Sequence, residues 1–381
     1  MTTVSTKSTK KPGEIRIIQT GDIHLCQKRT PTANIIRTLN YIFYEKENLA
    51  EVDLVIIAGD VWDTLVTMPN DDALLGRQWI RRFVQDCERH GVILDVLEGT
   101  PDHDWEQSSE FVAFETGCDV RHIKTLQIVR HESLDLNILY VPDEWRPTIE
   151  AIWEDVCVAM AESGLDRVDL AVVHGGFDFN FPPEYNIKGH SAERFSGIVK
   201  HAVFANHIHK AQSYLKVHGP GSPDRLAQGE EGDKGYHRVV IDQKTEQIRI
   251  QWIKNPHAWT HMAINVAGMS VEEIVAKVKA LAAPLRAGSY LRLDNGDPLV
   301  VKAVLIALRM DVKHVILEYK NKKQAGITQT HQTYSKKFSG THINRNNAAD
   351  SVVGWLQGKG LADASQAQFL GDTLKRAMAL K

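Results

Sequence analysis

The chain has 381 residues, 43% of them hydrophobic and 24% charged, with a net charge of −3. That is enough for one large or two medium soluble domains with their own cores, and no apolar run approaches the ~20 residues that span a bilayer. The small negative charge gives no global sign of a nucleic-acid binder. Four cysteines without CxxC spacing (Cys26, Cys87, Cys118, Cys157) argue against a zinc ribbon or a disulfide scaffold and fit a reducing, cytoplasmic compartment.

Residues 1–13 read as a short disordered tail, basic but without the apolar stretch of a signal peptide. IRIIQTGD (15–22) is strand-like and ends at a glycine turn; residues 32–46 carry apolar positions at helical spacing. DLVIIAGD (53–60) is a second buried strand ending in the same Gly-Asp. A helical segment over 71–90 follows, then GVILDVLEGT (91–100). Next come NILYVPD (137–143), a helix at 147–163, DLAVVHGG (169–176), HAVFANHIH (201–209) and a hairpin, YHRVVIDQKTEQIRIQWI (236–253). Continuous apolar strands alternating with helices predict an α/β fold, layered with its sheets buried on both faces.

The ends of these strands carry the chemistry. The first gives Asp22 and His24 (GDIH), the second Asp60 (AGDVWD), the third Asp102 and His103 (GTPDHDW). A lone histidine, His174, follows the fourth (VVHGG), and His207 and His209 follow the fifth (NHIH). In an α/β sheet the carboxyl ends of strands converge on one crevice. Imidazole nitrogens and carboxylate oxygens together suit divalent first-row metals such as manganese, iron or zinc. Seven ligands exceed one ion and match two that share a bridging carboxylate, a part Asp60 can play. Taken singly, each motif has a plainer explanation: Asp capping a helix or turn, or a hydrogen-bonded core histidine. Their repeated strand-end placement favours one dinuclear site.

The series DxH, GDxxD, a glycine turn leading to HD, a strand-end His and HxH resembles the calcineurin-like metallophosphoesterase superfamily. Within it the chain is similar to SbcD-like DNA-repair nucleases, through TGDIHL, AGDVWDT, NHIHKAQ and GSPDRLAQGEEGDKGYHRVVID, over roughly residues 15–257. The resemblance implies a metallophosphoesterase fold in which Asp22, His24, Asp60 and His209 hold one divalent ion, most readily Mn2+, with Mg2+, Fe2+ or Zn2+ as alternatives. Asp60, Asp102, His174 and His207 would hold the other. It casts His103 as the acid that steadies the scissile phosphate or protonates the leaving oxygen, and Asp104 as its orienter or a turn cap.

Two departures stand out. The family motif is Gly-Asn-His-Asp; here Thr100 and Pro101 intervene and Asp102 stands where the neutral Asn is expected. The extra carboxylate is expected to tighten metal binding and weaken the pull on an anionic substrate. Asn206 replaces the glycine that often precedes HxH, and Asn tolerates a left-handed backbone.

From about 260 the pattern restarts: a strand at 261–266, a helix at 270–283, SYLRLD (289–294), a helix at 298–309 and KHVILEY (313–319). The expected organisation is a nuclease domain (14–257), a smaller α/β capping domain (258–320), a basic loop (321–346) and C-terminal helices (347–381) that dock a partner or pack on the chain's own core. Lys320, Lys322, Lys323, Lys336, Lys337 and Arg345, with Tyr334 and Phe338 among them, suit phosphate contact and base stacking, or form a solvated linker. Trp62 and Trp105 flank the site motifs as pocket walls. The main expectation is a metal-dependent DNA exonuclease, with endonuclease activity also open, in DNA repair, recombination or replication. Its implied partners are DNA, an SbcC-like coiled-coil ATPase and a second copy of the chain, with no membrane. The alternatives are a dinuclear-metal phosphodiesterase or phosphatase on another substrate, and a DNA-end-binding subunit that does not cut.

Overall fold

The structure, a computed structural model, describes residues 10–66, 70–114, 116–181, 184, 188–308, 311–320, 349–350, 353–354, 357 and 363–379. In chain order its strands are β1 (Glu14–Thr20), β2 (Leu54–Ala58), β3 (Ile93–Leu97), β4 (Val120–Ile123), β5 (Gln127–His131), β6 (Leu136–Val141), β7 (Val168–His174) and β8 (Val199–Asn206). There follow β9 (Gln212–Tyr214), β10 (Val217–Gly219), β11 (Gly235–Asp242), β12 (Gln247–Lys254), β13 (His261–Asn265), β14 (Tyr290–Asp294) and β15 (Ile316–Lys320). The α-helices are α1 (Thr32–Asn40), α2 (Asp71–His90), α3 (Ile149–Ser163), α4 (Ala192–Ile198), α5 (Val271–Ala282), α6 (Pro298–Leu308) and α7 (Ala364–Ala379). The chain divides into one unit of residues 1–264, 271–292 and 303–318, and another of 265–270, 293–302 and 319–381.

The first unit is built on two six-stranded mixed sheets, in the orders β12-β11-β1-β2-β3-β4 and β5-β6-β7-β8-β10-β9. Strand side chains alternate between faces, so a strand apolar at every position is covered on both sides. Here Ile17, Leu54, Ile56, Ile93 and Leu97 pack against Ile138, Tyr140, Leu170, Val172 and Phe204, closing the sheets on each other. The opposite faces, Ile18, Val55, Ile57, Leu94 and Val96, pack under Ile35, Leu39, Ile80 and Phe83 of α1 and α2. Leu139, Val141, Ala171, Val173 and Val203 do the same under Val156 and Met160 of α3 and Phe195 of α4. The α/β layering expected from the sequence is thus found, as helix–sheet–sheet–helix.

Helix α2 spans the expected 71–90, because Asn70 caps it by accepting from Ala73 N and Gly91 ends it at φ +67°. The short strands β4, β5, β9 and β10 and the helix α4 are additions the sequence pattern does not announce, being too brief to show a period. Of the expected tail, Lys10–Gly13 are ordered, with the Lys10 ammonium paired to Asp53. A three-stranded sheet, β13-β14-β15, forms where the small α/β unit was expected. Of the six basic residues only Lys320 is described, exposed at the end of β15; Lys322, Lys323, Lys336, Lys337 and Arg345, with the rest of the basic loop, lie outside the described residues. In the second unit, Phe369 and Leu370 are exposed on α7 and Lys375 pairs with Asp350 at 2.7 Å. Among the described residues no helix is long and apolar enough to cross a membrane.

Candidate metal centre

β1, β2 and β3 run parallel in one sheet, and β6, β7 and β8 in the other. Their carboxyl ends deliver Asp22 and His24, Asp60, Thr100 and His103, Asp143, His174, and His207 and His209 to one end of the sandwich. The loops after β1 and β2 are tied together beyond the strands. Asp22 N donates to Gly59 O at 3.0 Å, and Ile23 N and His24 N donate to Asp60 O at 2.8 and 3.0 Å. That path bends the backbone left-handed at Asp22 (φ 50°), His24 (φ 54°), Asp60 (φ 50°) and, across the crevice, His207 (φ 105°). Such conformations cost of order 1–3 kcal/mol each in non-glycine residues and concentrate at functional sites. Two glycines permit the approach: a Cβ on Gly59 (φ +83°) would sit 2.2 Å from His174 Nδ1, and one on Gly99 2.1 Å from Asp60 N.

Three sets of donor atoms lie within 4.8 Å of one another: Asp22, His24 and His209; Asp60, His174 and His207; and His24, Asp63 and His103. Asp60 joins the first two sets, its Oδ2 being 3.7 Å from His24 Nε2 and 3.3 Å from His174 Nε2. Six of the seven ligands expected from sequence, and His103, therefore come together. Asp102 does not. It is exposed and enters none of the three sets, which corrects its expected place as the second-ion ligand.

Thr100 takes that place. Its amide donates to Asp60 Oδ1 at 2.6 Å, and its hydroxyl lies 3.4 Å from Asp60 Oδ2, 3.4 Å from His174 Nε2 and 3.5 Å from His207 Nδ1. Pro101 and Asp102 are thus the inserted pair, looped outward. The reason is Asp104: its buried carboxylate accepts from Gly99 N and Trp62 N, both at 3.0 Å, so the loop is pinned at both ends and its middle must bulge. Burial first, and the Asp60 charge second, push Asp104 up to about 7. Asp104 therefore acts as a loop clamp.

The tautomers show whether the donors fit cations. His174 Nδ1–H donates to Ala58 O at 2.8 Å, which turns the Nε2 lone pair onto Asp60. His209 Nδ1–H faces Glu230 Oε1 at 2.9 Å, and His24 Nδ1 lies 3.2 Å from Asp63 Oδ1. The two Nε2 atoms then confront each other at 3.1 Å. The Nε2 lone pairs of His209 and His174 thus face another imidazole nitrogen and a carboxylate, an arrangement that positive charge between the groups stabilises. A proton can serve in part: burial pulls His174 down, but Asp60 outweighs it and holds the imidazole up at about 10, while Asp60 itself is lowered. Divalent cations fit both sets, and imidazole with carboxylate suits transition metals.

Asp63, Asp143 and Glu230 are further acidic residues of the site. Asp63 is the second aspartate of GDxxD, and its carbonyl accepts from His103 Nδ1. That bond leaves His103 Nε2 free, with the ring edge-on to His24 at 4.9 Å between centroids. Asp143 follows β6 and interacts with Thr100, His174 and His207; burial raises its pKa. It had left its trace in the sequence as the polar end of NILYVPD. Asn206 corrects a second expectation: the left-handed residue is its neighbour His207, and Asn206 stays in β8. Its amide donates to Asp22 Oδ2 at 3.0 Å and its carbonyl accepts from Gln19 at 2.6 Å, holding Asp22 for the two His207 N contacts at 2.9 and 3.1 Å. Trp62 is buried beneath the site, whereas Trp105 is exposed.

No family model and no curated protein sequence matches the chain. Among solved structures it is similar to one crystal structure at 12% identity and TM-score 0.37, covering 63% of this chain and 99% of the other. It is also similar to GAP50, the anchor in the inner membrane complex of Plasmodium, at 10% identity and TM-score 0.41, covering 63% and 84%. A third is a glutamine-dependent NAD+ synthetase from Acinetobacter baumannii, in complex with ADP, at 10% identity and TM-score 0.29, covering 89% and 70%. Likenesses this distant say nothing of activity. The structure itself is an α/β sandwich with His/Asp clusters suited to metal at one end.

Proposed function

We propose that the protein is a dinuclear-metal phosphoesterase. The observation that carries this is the pair of donor sets, Asp22–His24–His209 and Asp60–His174–His207, meeting at the Asp60 carboxylate beside a histidine that belongs to neither. When bound, two divalent ions would clamp a phosphoryl group and lower the pKa of a water to neutrality. The chain's own contribution is orientation. Asn206 and the His207 amide fix Asp22, Thr100 N fixes Asp60, and Ala58 O and Glu230 fix the tautomers of His174 and His209. His103, bonded through Nδ1 to a carbonyl, offers Nε2 to take or deliver a proton at a substrate oxygen.

Manganese-dependent hydrolysis of bis(p-nitrophenyl) phosphate tests the proposal. Wild type should turn over; His103→Ala should still bind manganese by calorimetry and lose most of its activity. Wild type that binds no manganese would refute it. The narrower proposal, a DNA nuclease working with a coiled-coil ATPase, is supported by the SbcD-like motifs over residues 15–257. Linear DNA offered beside the chromogenic diester separates the two.

A further inference from the structure

Two tryptophans are held out into solvent beside the centre: Trp145 is 86% exposed and Trp105 63%. Indoles are large and mostly apolar, and a soluble chain ordinarily covers them. Both lie on loops leaving strands that feed the metal centre, Trp105 after β3 and Trp145 after β6. Neither loop is slack. Asp104 grips Gly99 N and Trp62 N, and the Glu106 amide on the other side of Trp105 donates to the Glu98 carboxylate. Glu144 accepts from Leu126 N, and Arg146 pairs with Glu144 and Asp155, each at 2.7 Å. The two loops also meet, the Asp143 side chain interacting with Thr100 and His174. Trp145 is two residues from Asp143 and Trp105 two from His103, so each indole's Cα lies within about 7.6 Å of that of a residue of the centre. Exposed Lys28 and Lys210 stand on the loops that follow His24 and His209.

Resting on the phosphoesterase proposal above, we infer that Trp105 and Trp145 are stacking platforms for unpaired nucleobases, and that the substrate class is single-stranded nucleic acid. A fixed, exposed indole stacks on any base and asks only that the base be unpaired, while Lys28 and Lys210, on the loops after His24 and His209, would meet the backbone phosphates. A docked protein would want a contiguous apolar patch; here the flanking residues Glu106, Glu144 and Arg146 are all charged.

The test uses the full chain in EDTA, so that binding is read without cleavage. Fluorescein-labelled oligothymidylate of about 12 nucleotides, within the site sizes such proteins cover, is compared with an abasic strand of equal length and with duplex DNA. Oligothymidylate should bind about tenfold or more tightly than the abasic strand and quench tryptophan emission. Trp105→Ala and Trp145→Ala should each lose about tenfold in that affinity, and Trp105→Tyr and Trp145→Tyr should recover most of it, with melting temperatures reporting that all variants fold. Equal binding of thymidylate and abasic strands, preference for duplex, or alanine variants of wild-type affinity would overturn the inference. Hydrolysis of bis(p-nitrophenyl) phosphate by wild type with manganese reads the other proposal separately. Turnover with no base-dependent binding removes the platforms alone, and base-dependent binding without turnover removes the phosphoesterase alone.

Discussion

Glu230 lies 2.9 Å from His209 Nδ1 through one carboxylate oxygen and 2.7 Å from the buried Lys234 ammonium through the other. Lys234 in turn donates to His209 O and Ser222 Oγ, both at 2.8 Å, so ring, carboxylate and ammonium form one closed unit. Burial alone would raise Glu230; its two partners bring it down to about 2. Carboxylates behind a ligating histidine are worth about 10- to 100-fold in metal affinity. Glu230→Ala should therefore weaken manganese binding by that factor in calorimetry. It should also cost roughly 3–5 kcal/mol of stability, because Lys234 is left buried and unpaired. Glu230→Ala combined with Lys234→Met should recover stability but not affinity.

Asp102 and Thr100 make opposite predictions. Asp102 is exposed and outside the donor sets, so Asp102→Asn should change manganese affinity by less than about twofold, as surface substitutions do. Thr100→Val keeps the amide bond to Asp60 but places a methyl where the hydroxyl faces His174 and His207. It should lower the affinity of the second ion while leaving the first, giving two resolved steps in a titration. A large loss with Asp102→Asn would restore that residue to the site.

His237 and His261 make the fold acid-sensitive. Burial drives His237 down to about 3 and His261 down to about 4, so both are neutral in the folded protein. Each folded value lies below the unfolded value of about 6.5, so the unfolded chain takes up the proton first as pH falls. The stability is present in full above 6.5 and drains away toward pH 4, at about 1.4 kcal/mol per pH unit for each histidine. His237, which hydrogen-bonds Gln19 at 2.9 Å, is the cleaner test. Urea midpoints at pH 7.5 and 4.5 should fall apart by less in His237→Gln than in wild type.

Asp95 is a charge in the middle of β3, between the two sheets. It accepts from the Tyr140 hydroxyl and lies 3.2 Å from Arg121 Nη1 and 3.0 Å from His131 Nε2, fully buried. Removing one member of a buried charge network strands the others, so Asp95→Ala should destabilise by about 3–5 kcal/mol in denaturant unfolding. Tyr140→Phe, which leaves the ions paired, should cost about 1–2 kcal/mol. Equal losses from the two would show that the ion pairs contribute nothing.

The layered core was readable because a run such as LVIIA allows few structures: every position of β2 is buried, and only a strand between two layers accommodates that. Asp22, His24, Asp60, His174, His207 and His209 were readable for a related reason, as polar residues closing apolar runs point to the carboxyl edge of a sheet. Glu230 was not, since nothing in GEEGDKG says which of its acids turns back twenty-one residues to His209. Asp95 was equally hidden, because its partners come from three other strands.

The amino-acid sequence by itself thus determined the α/β layering and the donors at strand ends, because hydrophobic period and chain direction are local properties. Only the tertiary structure decided that Thr100 rather than Asp102 faces Asp60, that His207 rather than Asn206 takes the left-handed turn, and that Trp105 stands in solvent while Trp62 does not. Those outcomes depend on where distant groups are pinned. Asp104 reaches across to Trp62 N, 42 positions away, and Asn206 to Asp22, 184 positions away. Such bonds form only once the sheets have packed.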